Sequence, residues 1–281
     1  MQKTELILPE FVLPTKVNQR WTASGIDSIE GCKDRARFQS YPYQVEYLYN
    51  SRGYRDREWP ADLSDVIWCI GDSFTVGLGS PVEHTWPYLL EQATGRRCIN
   101  LSMDGGSNNW MARRAVQLIR TVNPKQVVIH WSYLHRRELS YAHALEKFWP
   151  VFYSRIRDTS WPDCELDELD RLPSAIQREI SVLHNWPGQI GDDFRTLHYL
   201  KTTDAEDVVN TVDCINYANS TSTQVINSFI PGFKPTTEEF YSQLTVPYIP
   251  ELEQLDTSRD GHHYDRLTAQ SLVDKIMSAM A

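Results

Sequence analysis

A serine near residue 73 and an acid–histidine pair close to the carboxyl end are the residues of this chain whose types and spacing suggest chemistry. Ser73 comes two residues after the apolar run Val66-Ile67-Trp68-Cys69-Ile70-Gly71. The carboxyl end of a strand in a parallel α/β sheet opens into the crevice where ligands bind, so a nucleophile is useful there. Asp260 precedes His263 by three residues. Because serine needs an imidazole to remove its proton, and the imidazole needs a carboxylate to fix its tautomer, these residues predict a catalytic triad.

Each part of this prediction has a simpler alternative. Serine directly after a strand often caps a helix, which would give Ser73 a structural role. His262 competes with His263 for the role of base, although the spacing of three lets Asp260 fold back toward His263 within one loop. Asp260, His262, His263 and Asp265 also contain ligand types that suit zinc. Since no His-Glu-x-x-His motif or second ligand cluster accompanies them, we expect no metal and no cofactor.

Two other glycine motifs are incomplete. The segment Gly71-Asp72-Ser73-Phe74-Thr75 lacks the last glycine of the Gly-x-Ser-x-Gly elbow found in α/β-hydrolases. Gly77-Leu78-Gly79 is followed by Val82 where a dinucleotide-binding loop has its third glycine. We therefore interpret residues 77–79 as a turn beside the nucleophile.

The combined motifs resemble the SGNH (GDSL-type) hydrolase superfamily. The matching residues are Gly71-Asp72-Ser73 and Asp260-x-x-His263, together with Gly105 in the segment 100–108, and residues 50–55 are similar to a lead-in found in many bacterial and phage-encoded members. The resemblance implies a three-layer α/β/α flavodoxin-like sandwich with a parallel sheet. It also implies that Ser73 attacks, His263 acts as base and then acid, and Asp260 orients the histidine.

One family motif is missing, which leaves the oxyanion donors partly open. The family usually carries Gly-x-Asn-Asp after the third strand, whereas this chain has Ser132-Tyr133-Leu134-His135. The resemblance assigns the backbone N–H groups of Ser73 and Gly105 to the oxyanion hole. Asn108 is the candidate for the missing donor, with capping of a helix over 108–122 as the alternative. Three further residues could bind a polar or acidic substrate or simply be solvated surface charges: His135, Arg136 and Arg137.

The pattern of apolar runs predicts how these residues are positioned. Strand-like runs cover 66–70, 98–102, 126–131 and 224–230, with helical patterns between them, which favours a parallel sheet with right-handed crossovers. We expect residues 1–60 to form an irregular N-terminal wrap and residues 61–281 to form the SGNH-type domain. A helical insertion is expected at about 141–200, a stretch rich in aromatic and charged residues.

Composition restricts the partners. A net charge of −9 and a pI near 5.4 oppose the phosphate backbone, so nucleic acid is not an expected partner. The amino terminus lacks a continuous apolar h-region and no run is long enough to span a bilayer, so we expect a soluble, cytoplasmic protein without membrane contact. The five cysteines are odd in number and scattered, which favours free core thiols. A phage-encoded origin fits the resemblance.

These observations together predict a serine esterase that removes a small acyl group, such as acetyl, from a carbohydrate or similar small-molecule substrate. The superfamily also contains acyltransferases that use the same triad and keep water from the acyl-enzyme. A non-catalytic binding or virion-associated protein that keeps the fold is the third possibility, suggested by the missing asparagine.

Overall fold

The computed structural model of the protein describes residues 11–13, 16–134, 136, 204–220, 223–231, 238–250 and 252–281. The predicted insertion at about 141–200 lies outside them. The strands are β1 (Arg20–Trp21), β2 (Tyr47–Leu48), β3 (Ile67–Gly71), β4 (Cys98–Asn100), β5 (Gln126–Trp131) and β6 (Gln224–Phe229). The α-helices are α1 (Arg35–Ser40), α2 (Ser73–Val76), α3 (Trp86–Thr94), α4 (Asn108–Val122), α5 (Asp204–Ala218), α6 (Glu238–Gln243) and α7 (Arg266–Met280).

Four strands form a parallel sheet in the order β4-β3-β5-β6. Counted along the chain this order is 2-1-3-4, that of the flavodoxin-like doubly wound fold. Every residue of β3, β4 and β5 is buried, which explains why these strands appear in the sequence as nearly continuous apolar runs. The predicted parallel α/β sheet is confirmed.

The helices cover both faces of the sheet. The chain moves in one direction from β3 to β4 and in the other from β4 to β5 and β6. Right-handed crossovers therefore place α3 on one face and α4 with α5 on the other. Contacts between α4 and α5, and between α3 and α7, complete the two helical layers. This is the three-layer arrangement that the resemblance implied.

Helix α4 shows why the apolar periodicity was informative. The Ser107 hydroxyl accepts a hydrogen bond from the Trp110 N–H at 3.1 Å and caps the helix, and Asn123 in the left-handed conformation ends it. Met111 and Ala115 are among the residues of its buried face. None of the described helices is long and apolar enough to cross a membrane.

The predicted N-terminal wrap, of which the structure describes residues 11–13 and 16–60, contains three short elements. Strands β1 and β2 pair antiparallel, and Asp34 caps α1 through a hydrogen bond from the Arg37 N–H. These elements were not predicted, because strands of two residues and a helix without buried residues leave no periodicity in the sequence. Four cysteines within the described residues are buried free thiols, Cys32, Cys69, Cys98 and Cys214, as expected.

Candidate active site

The serine lies on a tight turn from β3 into α2. Asp72 caps α2, because its carboxylate accepts a hydrogen bond from the Phe74 N–H at 2.9 Å. Ser73 is the first helical residue, so the alternative that it caps the helix is wrong. Gly77, with a positive φ of 77°, ends the helix after one turn. The turn holds Ser73 at the carboxyl end of β3, with only 2% of the residue exposed.

The acid–histidine loop, residues 256–265, brings its two predicted residues to this serine. The His263 Nε2 atom lies 2.7 Å from the Ser73 Oγ atom. The His263 Nδ1 atom lies 2.6 Å from the Asp260 Oδ2 atom. A nucleophile within hydrogen-bond reach of a base, and that base oriented by a third group, is the geometry of an activated serine. All three residues are buried.

Asp260 is held by its own loop and stays ionised. Its Oδ1 atom accepts hydrogen bonds from the N–H groups of His262 and His263, at 2.8 and 3.0 Å, and from the Ser258 hydroxyl at 3.0 Å. Burial alone would raise the pKa of Asp260. The hydrogen bond and charge of His263 and the two N–H groups lower it, so the pKa of this carboxyl lies well below its usual range. A charged Asp260 can accept a hydrogen bond from Nδ1–H of His263, and in the neutral ring this arrangement favours the tautomer whose Nε2 atom can take a proton.

His262 occupies a different position from His263. Its side chain is exposed, and its Nε2 atom lies 3.4 Å from the Tyr133 hydroxyl. The ring of Phe74 packs against both histidines, with centroid distances of 5.7 Å to His262 and 4.5 Å to His263. Of these two histidines, His263 is the one whose ring lies within hydrogen-bond distance of both Asp260 and Ser73.

The predicted backbone oxyanion donors are available. Within the described part of the chain, neither the Ser73 N–H nor the Gly105 N–H donates to another protein group. The loop after β4 runs along the turn that carries Ser73, since the Met103 N–H donates to the Gly71 carbonyl at 3.1 Å. Gly105 adopts a positive φ of 70°, which favours glycine there. The roles of both N–H groups stay predictions.

Asn108 has a structural role that the sequence did not suggest. Its Oδ1 atom accepts from the Ser132 N–H at 3.0 Å, and its Nδ2 atom donates to the carbonyls of Ser132 and Tyr133 and to the Thr211 hydroxyl. The alternative that it caps α4 is wrong, because Ser107 is the cap. The oxyanion role of Asn108 stays a prediction that these contacts do not favour, since its amide is engaged on both sides.

Arg136 contacts the nucleophile turn from the segment after β5. Its Nη1 atom lies 2.8 Å from the Asp72 Oδ2 atom, which also accepts a hydrogen bond from the Ser132 hydroxyl. The carboxylate of Asp72 is fully buried, so this ion pair satisfies it. The predicted substrate contacts of His135 and Arg137 lie outside the described residues. Sequence reasoning missed the pairing with Asp72, because no local spacing connects residues so far apart.

Asp265 does not join the triad residues. Its Oδ1 atom lies 2.8 Å from His84 Nδ1 and 2.9 Å from the Ser80 hydroxyl, and its Oδ2 atom accepts from the Tyr41 hydroxyl at 2.6 Å. Both oxygens of the Asp265 carboxylate are therefore engaged by residues other than Ser73, Asp260 and His263. Among the residues that the structure describes, no group of three or more His, Cys, Asp or Glu side chains is arranged to hold a metal ion.

Comparisons with known proteins add structural likenesses. No family model matches the chain. No curated protein matches it either. The crystal structure of TesA is 14% identical, with 76% of this chain and 97% of that chain covered and a TM-score of 0.43. A lipolytic protein of the G-D-S-L family from Veillonella parvula is 12% identical, covers 76% of this chain and 96% of its own, and has a TM-score of 0.42.

A further likeness is the psychrotrophic esterase EstA from Pseudoalteromonas sp., 13% identical over 77% of this chain and 97% of that chain, with a TM-score of 0.40. Identities and TM-scores this low imply nothing about the chemistry of this chain.

Proposed function

We propose that the protein is an SGNH-type serine esterase. The observation that carries the proposal is the continuous hydrogen-bonded row from the Asp260 carboxylate through the His263 ring to the Ser73 hydroxyl, with distances of 2.6 and 2.7 Å. In the proposed reaction His263 Nε2 removes the proton as Ser73 Oγ attacks the ester carbonyl. His263 then gives that proton to the leaving alcohol, and a water molecule repeats the sequence to release the acid.

The negative charge that develops on the carbonyl oxygen requires hydrogen-bond donors. The N–H groups of Ser73 and Gly105 are our candidates, because neither has a partner among the described residues. Each such donor is worth about 10²–10³ in rate when it meets the oxyanion. Two N–H groups would support catalysis without the asparagine that the family usually supplies.

We expect a small acyl group, such as acetyl, on a carbohydrate or similar metabolite. Ser73 is only 2% exposed, and the Phe74 ring lies 4.5 Å from the His263 ring, so the described residues leave a narrow approach to the nucleophile. A narrow approach favours a short acyl chain.

Labelling with a fluorophosphonate and hydrolysis of p-nitrophenyl acetate test the proposal. We expect Ser73→Ala to abolish labelling and to lower turnover by several orders of magnitude, because the nucleophile is lost. Ser228→Ala is the matched control. Like Ser73, Ser228 is buried and its hydroxyl lies within hydrogen-bond distance of a histidine nitrogen, here His130 Nδ1 at 2.9 Å. No acid supports that histidine, since among the described residues its Nε2 atom has no partner.

The control should keep labelling, and undiminished labelling of Ser73→Ala would rule out the assigned nucleophile. The time course separates the alternatives. Steady release of p-nitrophenol in water alone identifies a hydrolase, whereas one burst followed by a stall until an alcohol is added identifies an acyltransferase. A binding protein would give neither.

A further inference from the structure

A buried ion pair joins the acid–histidine loop to the N-terminal wrap. The Arg259 guanidinium binds the Asp27 carboxylate at two points, Nε to Oδ1 at 2.7 Å and Nη2 to Oδ2 at 2.6 Å. Its Nη2 atom also donates to the Thr22 carbonyl at 2.7 Å. Asp27 is fully buried and Arg259 is 9% exposed. A two-point contact of this kind fixes direction as well as distance, so it restricts the position of the loop.

The Asp27 carboxylate also connects the acid–histidine loop to Gly79, in the segment that follows α2. The Tyr47 hydroxyl donates to Asp27 Oδ2 and accepts a hydrogen bond from the Gly79 N–H at 2.8 Å. The Gly79 carbonyl in turn accepts from the Arg259 N–H at 2.8 Å. Asp27, Tyr47, Gly79 and Arg259 thus form a closed ring of hydrogen bonds. Gly79 follows the serine helix and Arg259 precedes Asp260, so the ring joins the two halves of the proposed triad.

Two further contacts from the wrap reach the same loop. The Arg37 guanidinium donates to the carbonyls of Thr257 and Ser258. The Cys32 thiol lies 3.5 Å from the Asp260 carbonyl. The backbone on both sides of Arg259 is therefore held by residues of the wrap.

We propose that the Asp27–Arg259 pair positions His263 against Ser73, so that one buried contact from the N-terminal wrap serves the proposed catalytic site. The inference rests on the proposed esterase function. Asp27 and Arg259 are positioning residues, because among the described residues neither forms a hydrogen bond with Ser73 or His263. The distance between His263 Nε2 and Ser73 Oγ is what their contact maintains.

Asp27→Asn tests the inference. The substitution keeps the size of the side chain and removes the charge that Arg259 binds. We expect kcat for p-nitrophenyl acetate and the rate of fluorophosphonate labelling to fall about 10- to 100-fold in folded protein, since a displacement of about 1 Å in a reacting group costs up to about 10² in rate. KM should change by less than about twofold, because the pair does not contact substrate.

The control and the conservative variants make the test specific. Glu46→Gln breaks an exposed ion pair between Glu46 and Arg20 in the same wrap and should leave kcat, KM and labelling unchanged. Arg259→Gln should fall like Asp27→Asn. Arg259→Lys keeps the charge without the two-point contact, so its labelling rate should lie between that of the wild type and that of Arg259→Gln.

Thermal unfolding followed by circular dichroism shows which variants are folded at the assay temperature. If Asp27→Asn is not folded, Tyr47→Phe takes its place, because it removes the bridging hydroxyl and keeps the ring. Its labelling should slow about threefold or more, the effect of losing one positioning contact of about 0.7 kcal/mol. If either variant is folded and is labelled by the fluorophosphonate at the wild-type rate, the inference is overturned and the proposed function stays intact. An unlabelled wild-type protein would instead refute the proposed function.

Discussion

Replacing Asp260 with asparagine should preserve the acid–histidine loop and place the proton on the wrong nitrogen of His263. The Asp260 Oδ1 atom accepts three hydrogen bonds, from the N–H groups of His262 and His263 and from the Ser258 hydroxyl. An amide oxygen can accept the same three. The remaining bond joins Oδ2 to His263 Nδ1 at 2.6 Å, and an amide nitrogen in that place donates instead of accepting.

With Nδ1 forced to accept, the neutral imidazole of His263 carries its proton on Nε2. Nε2 can then no longer take the proton of Ser73, 2.7 Å away. We expect kcat to fall about 10⁴-fold, the loss typical of a triad acid converted to its amide. At about 1.36 kcal/mol for each tenfold change, this corresponds to about 5.4 kcal/mol of lost transition-state stabilisation. The free energy of unfolding should fall by less, about 1.5–3 kcal/mol for one hydrogen bond to a charged group.

Release of p-nitrophenol from p-nitrophenyl acetate measures the loss, and urea unfolding measures the stability of the same preparation. Asp256→Asn is the matched control, since Asp256 lies on the same loop and accepts hydrogen bonds from the N–H groups of Leu267 and Thr268 at the start of α7. The control should lose some stability and keep kcat. A folded Asp260→Asn protein with more than about one hundredth of the wild-type kcat would refute the reasoning, because a misplaced proton cannot support that rate.

Two other substitutions test particular histidines. His263→Ala should lower kcat by about 10⁴-fold or more, whereas His262→Ala, at an exposed side chain, should change it by less than about threefold; the reverse result would move the base by one residue. Burial lowers the pKa of His130 to about 3, below its ordinary value of 6.5, so the stability it contributes is complete above about pH 6.5 and is lost as the pH falls toward 3. His130→Gln should therefore reduce the loss of unfolding free energy between about pH 6 and pH 4, by up to about 1.4 kcal/mol per pH unit, and equal slopes in urea titrations would contradict this.

The sheet was predictable because strands that are buried on both faces consist of nearly continuous apolar runs. The predicted strands 66–70, 126–131 and 224–230 differ from β3, β5 and β6 by at most one residue at either end. The predicted helix 108–122 has the bounds of α4, since a single buried face gives a clear helical period. Elements with little burial, such as β1 and α1, lack that signal.

Within the site, residues that act through local spacing were predictable and residues that act through distant contacts were not. Asp260 and His263 share one loop, so their pairing follows from a spacing of three. Asp27 and Arg259 are separated by 232 positions, and nothing in either neighbourhood indicates the other. The two helix-capping alternatives failed for a shared reason: an equally good capping residue, Asp72 or Ser107, directly precedes each candidate and occupies the cap position.

The segment after β5, which lacks the asparagine usual in SGNH hydrolases, contacts Asp72, the acid of the Gly71-Asp72-Ser73 motif. Ser132 and Arg136 follow that strand, and both donate to Asp72, which directly precedes Ser73. In the proposed reaction a buried, unpaired carboxylate here would oppose the charge that develops on the oxyanion. Two like unit charges repel by about 4 kcal/mol at a separation of about 4 Å and an effective dielectric constant of about 20, and by less when they are further apart. Because the Arg136 guanidinium pairs with Asp72 at 2.8 Å, it would remove this repulsion from the proposed reaction: the segment after β5 would cancel a charge, whereas the usual asparagine adds a donor.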